Sequence, residues 1–164
     1  MSALGFALVL TGAPMVAQQP ASADQQVVSV AQYSVADAIC EIRTRHLDSV
    51  EGRVHFLVNQ VRPFTARAGV LNQEVQDLFR QIKDPANQSR IVEIGQTLEH
   101  KMAVLGPMLP ILQESLHLDG DFQHIDEVLQ KKLPLESSEA EMLLRVARIA
   151  NYVAKMDLNA ADNP

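Results

Sequence analysis

The residue types best suited to chemistry crowd into one stretch, His117 to Glu127, where two imidazoles and four carboxylates fall within eleven residues. Imidazole nitrogen and carboxylate oxygen are ligands for Zn²⁺ and other divalent ions, so His117, Asp119, Asp121 and His124 are the donors a metal would take here. Spacing argues against a calcium loop, because the acidic alternation ends early and no Glu stands at the twelfth position. The same residues have a plainer use. Asp119 with Gly120 suits a turn, Asp121 suits a helix cap, and Asp126 with Glu127 suits a solvated face. That use accounts for every residue type in the stretch, so the metal site stands as the alternative and no cofactor is expected.

The remaining candidates are scattered. His46 and His55 are nine residues apart, which on one helix points them to nearly opposite faces, so they cannot share an ion. His46 falls on an apolar stripe and is expected at the edge of the core. His55, one turn after Glu51, and His100, between Glu99 and Lys101, are expected at the surface. Cys40 is the only cysteine, so no disulfide can close within the chain and the fold must rest on its core. The sequence holds neither Gly-x-Ser-x-Gly nor a phosphate-binding P-loop. It also lacks the two Glu-x-x-His pairs of a di-iron helical protein and the paired cysteines of covalent haem attachment. These residues therefore predict a non-catalytic protein.

The elements that would position these side chains read as helices throughout. The chain has 164 residues, enough for one domain with a proper core, and 47% of them are apolar. Aromatic residues are only 4% and Trp is absent, which favours packing of Leu, Val, Ile, Ala and Met on helices over a sheet sandwich. Ser34 to Asp37 has the form of a capping box. After it Val35, Ile39, Ile42, His46, Val50, Val54, Leu57 and Val61 recur at steps of three and four, opposite a polar stripe of Asp37, Glu41, Thr44, Asp48, Glu51, His55 and Asn59. This pattern predicts a long first helix from about Ser34 to Arg62, stopped at Pro63.

Ala68, Leu71, Val75, Leu78 with Phe79, and Ile82 predict a second helix, ended by Asp84 and Pro85, which also suit the cap and first position of a third. Ile91, Ile94, Leu98, Met102 and Leu105 form that helix's face, with a break or kink expected at Gly106, Pro107 and Pro110. Leu109, Leu112 and Leu116 suggest a short helix. Phe122, Ile125, Val128, Leu129 and Leu133 mark another, closed by Lys131, Lys132 and Pro134. A second capping box is read at Ser138 to Glu141, opening a last helix through Leu143, Val146, Ala147, Ala150 and Val153. Connections are short, so the expected architecture is all-α: a single antiparallel bundle of four to six helices over 34–157, with a polar tail at 158–164.

The N-terminal segment stands apart. Met1 to Ala23 carries no charged side chain, and the first basic residue anywhere is Arg43. Leu4 to Val16 is an apolar run too short to span a bilayer, followed by a polar stretch and the triplet Ala21, Ser22, Ala23 before Asp24. An apolar core followed by an A-x-A triplet is what signal peptidase reads, although the usual basic start is missing. Residues 1–23 are thus expected to be a signal peptide, with an apolar tail as the alternative, and 24–33 a lead-in.

Charge narrows the partners. A net charge of −6 opposes a sequence-independent hold on nucleic acid and peripheral binding to an anionic membrane. The leading expectation is an exported protein, periplasmic or secreted, that acts by protein–protein contact or self-association through helix faces, with no integral membrane segment after processing. The near-heptad stripe of the first helix could form such a seam. The alternatives are a helical metal or ligand sensor using His117, Asp119, Asp121 and His124, and a cytoplasmic subunit of a larger complex.

Overall fold

The computed structural model describes residues 34–162, so the expected signal peptide (1–23) and lead-in (24–33) lie outside the described residues. All regular structure within them is helical. In chain order come α1 (Val35–Thr44), α2 (Val50–Phe56), a π turn (Leu57–Val61), α3 (Arg62–Lys83), a 3₁₀ turn (Pro85–Arg90), α4 (Ile91–Ser115), α5 (Leu118–Gln130), α6 (Ser137–Lys155) and a closing 3₁₀ turn (Ala160–Asp162). The segments α2, π turn and α3 follow one another without a gap, which leaves five helical rods among the described residues.

The first helix starts as its sequence predicts. Ser34 Oγ accepts from the Asp37 N–H at 3.1 Å, and the Asp37 carboxylate accepts from the Ser34 N–H at 3.2 Å. It does not reach Arg62. The chain leaves α1 at Thr44 through a Schellman closure, in which the His46 N–H donates to the Arg43 carbonyl and the Leu47 N–H to the Ile42 carbonyl, each at 2.9 Å. His46 takes the left-handed position, φ 58°, that glycine usually fills. Leu47 and Ile42 are both fully buried, the apolar contact that accompanies this closure. Ser49 then caps α2 by accepting from the Gly52 N–H at 3.1 Å, while its hydroxyl donates to the His46 carbonyl at 3.0 Å. Gly52 is required here, since a Cβ would stand 1.8 Å from that carbonyl oxygen.

This turn resets which side of the next helix faces inward. α2 buries Arg53 and Phe56, so Val50 and Val54, expected inside, are exposed. The rod then runs through Pro63 instead of stopping. Ahead of it the Arg62 N–H reaches back five residues to the Leu57 carbonyl, and this wider turn takes up the strain of a ring that has no N–H to give. α3 buries Phe64, Ala68, Leu71 and Val75, much as its spacing predicts, but Phe79, expected on the same stripe, is exposed.

Asp84 caps the 3₁₀ turn, its carboxylate accepting from the Ala86 N–H at 2.9 Å. α4 continues through Pro107 and Pro110, so of the expected break or kink there is no break. Both rings sit on the exposed side, as do Ala103 and Gly106, whose carbonyls lose their helical donors where solvent can replace them. The buried face is Ile94, Leu98, Leu105, Met108 and Ile111. Met102, Leu109 and Leu116, expected inside, are exposed.

α6 is the most deeply buried element, with Met142, Leu143, Val146, Ala147, Ile149, Ala150 and Val153 in the core. It packs against α1, α4, α5 and the π turn, while α3 lies mainly along α4. Its cap falls two residues earlier than the sequence suggested: Glu139 accepts from the Glu136 N–H at 3.1 Å and pairs with Lys131. Two edge-to-face aromatic pairs cross between rods, Phe56 with Phe122 at 6.4 Å and Phe64 with Tyr152 at 6.0 Å. Part of the expected tail is folded. Ala161 is buried, and Arg67 donates to the Leu158 carbonyl at 2.9 Å and pairs with Asp162 at 2.6 Å.

Candidate functional site

The sequence cluster at 117–127 is divided by the fold. Asp119 and Gly120 are not a turn and Asp121 is not the cap, because α5 already starts at Leu118 with His117 before it. Acidic residues fit that first turn, where the helix dipole favours negative charge. Asp121 is 6% exposed and committed to α6, accepting from Arg145 Nε at 2.8 Å and Nη2 at 2.6 Å. His117, Asp119 and His124 are exposed. Among the described residues, no three His, Cys, Asp or Glu side chains stand close enough together to hold an ion. Glu114 and His117 have Glu-x-x-His spacing, but Glu114 accepts from Arg148 at 3.2 and 3.0 Å.

The other singled-out residues serve structure or meet solvent. His46 forms the left-handed turn and is exposed, not at the core's edge. His55 is exposed, and His100 is half-buried with its Nε2 3.1 Å from the Ala160 carbonyl. Cys40 is exposed.

Sequence reasoning missed the arginines that tie rods together. Arg53 is 7% exposed; it donates to the Leu47 carbonyl at 3.2 Å and grips Asp126 with both terminal nitrogens, at 2.7 and 2.8 Å. That hydrogen-bonded guanidinium holds the Asp126 carboxyl below the usual value. Arg145 likewise ties α6 to α5 through Asp121, and Arg148 ties α6 to α4 through Glu114. No local pattern announces such pairs, whose members lie far apart in sequence.

Two features stand out among the described residues as lacking a partner there. One is a row along the outer side of the α2 rod. Val50, Val54 and Val58 repeat every four residues and are 67%, 55% and 51% exposed. Glu51, His55 and Asn59 flank it, also exposed. The sequence held a signal for it, since Asp48 and Ser49 form an ordinary start for a new helix and so a new register.

The other is a cleft of about 220 Å³ between the π turn and the end of α6, lined by Asn59, Gln60, Pro63, Val153, Ala154, Met156 and Leu158. Gln60 lines it, and the carboxamide oxygen of that residue is buried and, among the described residues, without a hydrogen-bond donor. Burying a polar atom unpaired is unfavourable enough that most such atoms in folded proteins have partners.

No protein-family model, curated protein or solved structure matches this chain. Among the described residues, no helix is long and apolar enough to cross a membrane.

Proposed function

We propose that this chain is a single antiparallel helical bundle that acts without catalysis, by contact with another protein through the outer face of α2. The observation that supports it is the row Val50, Val54 and Val58, more than half exposed and rimmed by polar side chains. An apolar strip with a polar rim is the usual composition of a protein-contact surface. Spacing of four residues on one helix also matches the anchors by which a helix lies against a second helix. A metal sensor built on His117, Asp119, Asp121 and His124 is the alternative, and it has less support because Asp121 is already paired with Arg145.

A photo-crosslinking side chain at Val54, with the exposed Gln88 as control position, tests the reading. A discrete adduct from position 54 and none from 88 is expected; equal labelling at both positions sinks it. Sedimentation then identifies the partner, since a dimer makes it a second copy and a clean monomer makes it another protein.

Export belongs to the same proposal and rests on the sequence of residues 1–23. Protein recovered from its native source should have an intact mass that starts near Asp24. Full-length protein there overturns export and leaves the α2 surface as it stands.

A further inference from the structure

We propose that the outer face of α4 pairs with the same face of a second copy of this chain, the two helices running antiparallel. This goes beyond the contact assigned to α2 and uses a different helix. Its starting point is a stretch of sequence, Met102 to Gln113, in which no residue carries a charge although much of it faces solvent. The outward face of a bundle helix is ordinarily where charged residues collect. α4 instead has an apolar row on each side. The inward row is anchored in the core, and the outward one is Met102, Leu109 and Leu116, 47%, 47% and 78% exposed.

Glu99, Gly106 and Gln113 complete the outward row and are also exposed. Leu116 (φ −64°, ψ −18°) and His117 (φ −92°, ψ −10°) keep helical dihedrals and so extend it past the last turn. From Glu99 to Leu116 the row advances by three and four residues in strict alternation. That is the spacing of a coiled-coil seam, which stays aligned with a partner helix crossing at about 20°. The valine row of α2 repeats every four residues and lacks it.

Charge and shape select a second copy as the partner. In one antiparallel register every member of the row is matched: Glu99 faces the second copy's Leu116, Met102 faces its Gln113, and Gly106 faces its Leu109. A two-fold axis makes each of these contacts twice. Open space beside Gly106 admits the facing leucine. The same register stands the second copy's His117 next to Glu99. Both are exposed and, among the described residues, neither side chain is hydrogen-bonded, so the imidazole N–H donates to the carboxylate across the interface. The Ala103 and Gly106 carbonyls, freed by Pro107 and Pro110, lie on this face, where the second copy's Gln113 brings carboxamide N–H groups to the same turn. A parallel pair would set Glu99 on Glu99, like charge on like, in a chain of net charge −6. The strip is one helix wide and about 25 Å long, so it buries less than the roughly 800 Å² per partner of a standard interface. The dimer is therefore weak and reversible, with a dissociation constant on the order of 10–100 µM.

Sedimentation equilibrium of the full chain, from micromolar to millimolar concentration, should show that monomer–dimer exchange. Leu109→Glu sets a carboxylate of each copy near the two-fold axis and should weaken association at least about tenfold. Val54→Glu, on α2, should leave it unchanged, so failure of this contact and failure of the α2 contact are told apart. Glu99→Lys should weaken the dimer roughly fivefold, and adding His117→Glu should restore it to within about twofold. Cross-linking keeps the test decisive where a charged variant fails to fold. In a Cys40→Ser background, a mixture of Glu99→Cys and Leu116→Cys chains should form a disulfide under oxidised glutathione that neither forms alone. A chain that stays monomeric at millimolar concentration overturns the proposal and leaves the strip to another protein's helix. Dissociation by Val54→Glu but not by Leu109→Glu, a double variant no better than Glu99→Lys, or disulfides from either cysteine chain alone would overturn it equally.

Discussion

Residues 44–49 and the middle of α4 reverse the usual relation between residue type and helix ends. The first stretch has no proline and its only strong helix-breaker, Gly52, comes later, yet the helix stops and turns there. The second holds Pro107 and Pro110, and the helix continues without a break from Ile91 to Ser115. The difference lies in where the freed backbone groups go. At 44–49 the carbonyls of Ile42 and Arg43 are recaptured by Leu47 and His46, and the buried side chains of Ile42 and Leu47 hold that arrangement shut. In α4 the orphaned carbonyls of Ala103 and Gly106 belong to exposed residues, while Leu105, Met108 and Ile111 anchor the opposite face in the core. Burial of an apolar side chain stabilises by about 1.5–3 kcal/mol, so three of them outweigh two hydrogen bonds that water can replace. Packing decides the outcome.

The comparison can be broken most directly at Gly52. Gly52→Ala sets a Cβ against the His46 carbonyl oxygen, a backbone atom that cannot swing aside, and should destabilise the protein by about 3 kcal/mol in urea unfolding. A variant as stable as the parent would mean that the turn is not the rigid stop described above.

Arg53 joins that same turn to α5. Arg53→Met keeps most of the buried stem, loses the bonds to Leu47 and Asp126, and should cost about 2 kcal/mol at neutral pH. The pair also predicts a pH effect of known sign. The Asp126 carboxyl is held below its unfolded value of about 3.9, so its contribution is complete above that value and fades as pH falls through the lower folded one. Between pH 4.5 and 2.5 the parent should therefore lose more stability than Asp126→Asn does. Parallel curves would show that the ion pair is idle.

His46→Gly sharpens the comparison from the favourable side. It relieves a left-handed conformation that costs a side-chain-bearing residue about 1 kcal/mol, and should raise stability by up to that amount. A loss would show that the imidazole makes a contact worth more than the strain.

Pro107→Ala should have the smallest effect, a gain within about 1 kcal/mol, since a new N–H reaches the exposed Ala103 carbonyl of a helix already formed. A gain near the roughly 3 kcal/mol expected for proline in an ordinary helix interior would mean that α4 is strained and the contrast with 44–49 is weaker than drawn.

The helical class, the Ser34 cap, the Asp84 cap and the inward faces of α3 and α6 were legible because each depends on residues within one or two turns of one another. The valine row was misassigned for an equally local reason. A single register was carried across His46, and the turn there broke it, moving Val50 and Val54 from the expected core to the surface. Gln60 and the cleft had no sequence signal, since their walls come from positions about ninety residues apart.

Sequence alone determined that this protein is built from helices, where several of them begin, and that Cys40 cannot cross-link the chain. Periodicity and capping are properties of neighbouring residues, and neighbours are what a sequence records. Only the tertiary structure decided that three prolines lie inside helical rods, that Asp121 pairs with Arg145, and that Val50 and Val54 of α2 turn outward while Arg53 and Phe56 turn in. Those outcomes depend on which backbone groups find donors and which side chains leave water together, and both are settled between helices.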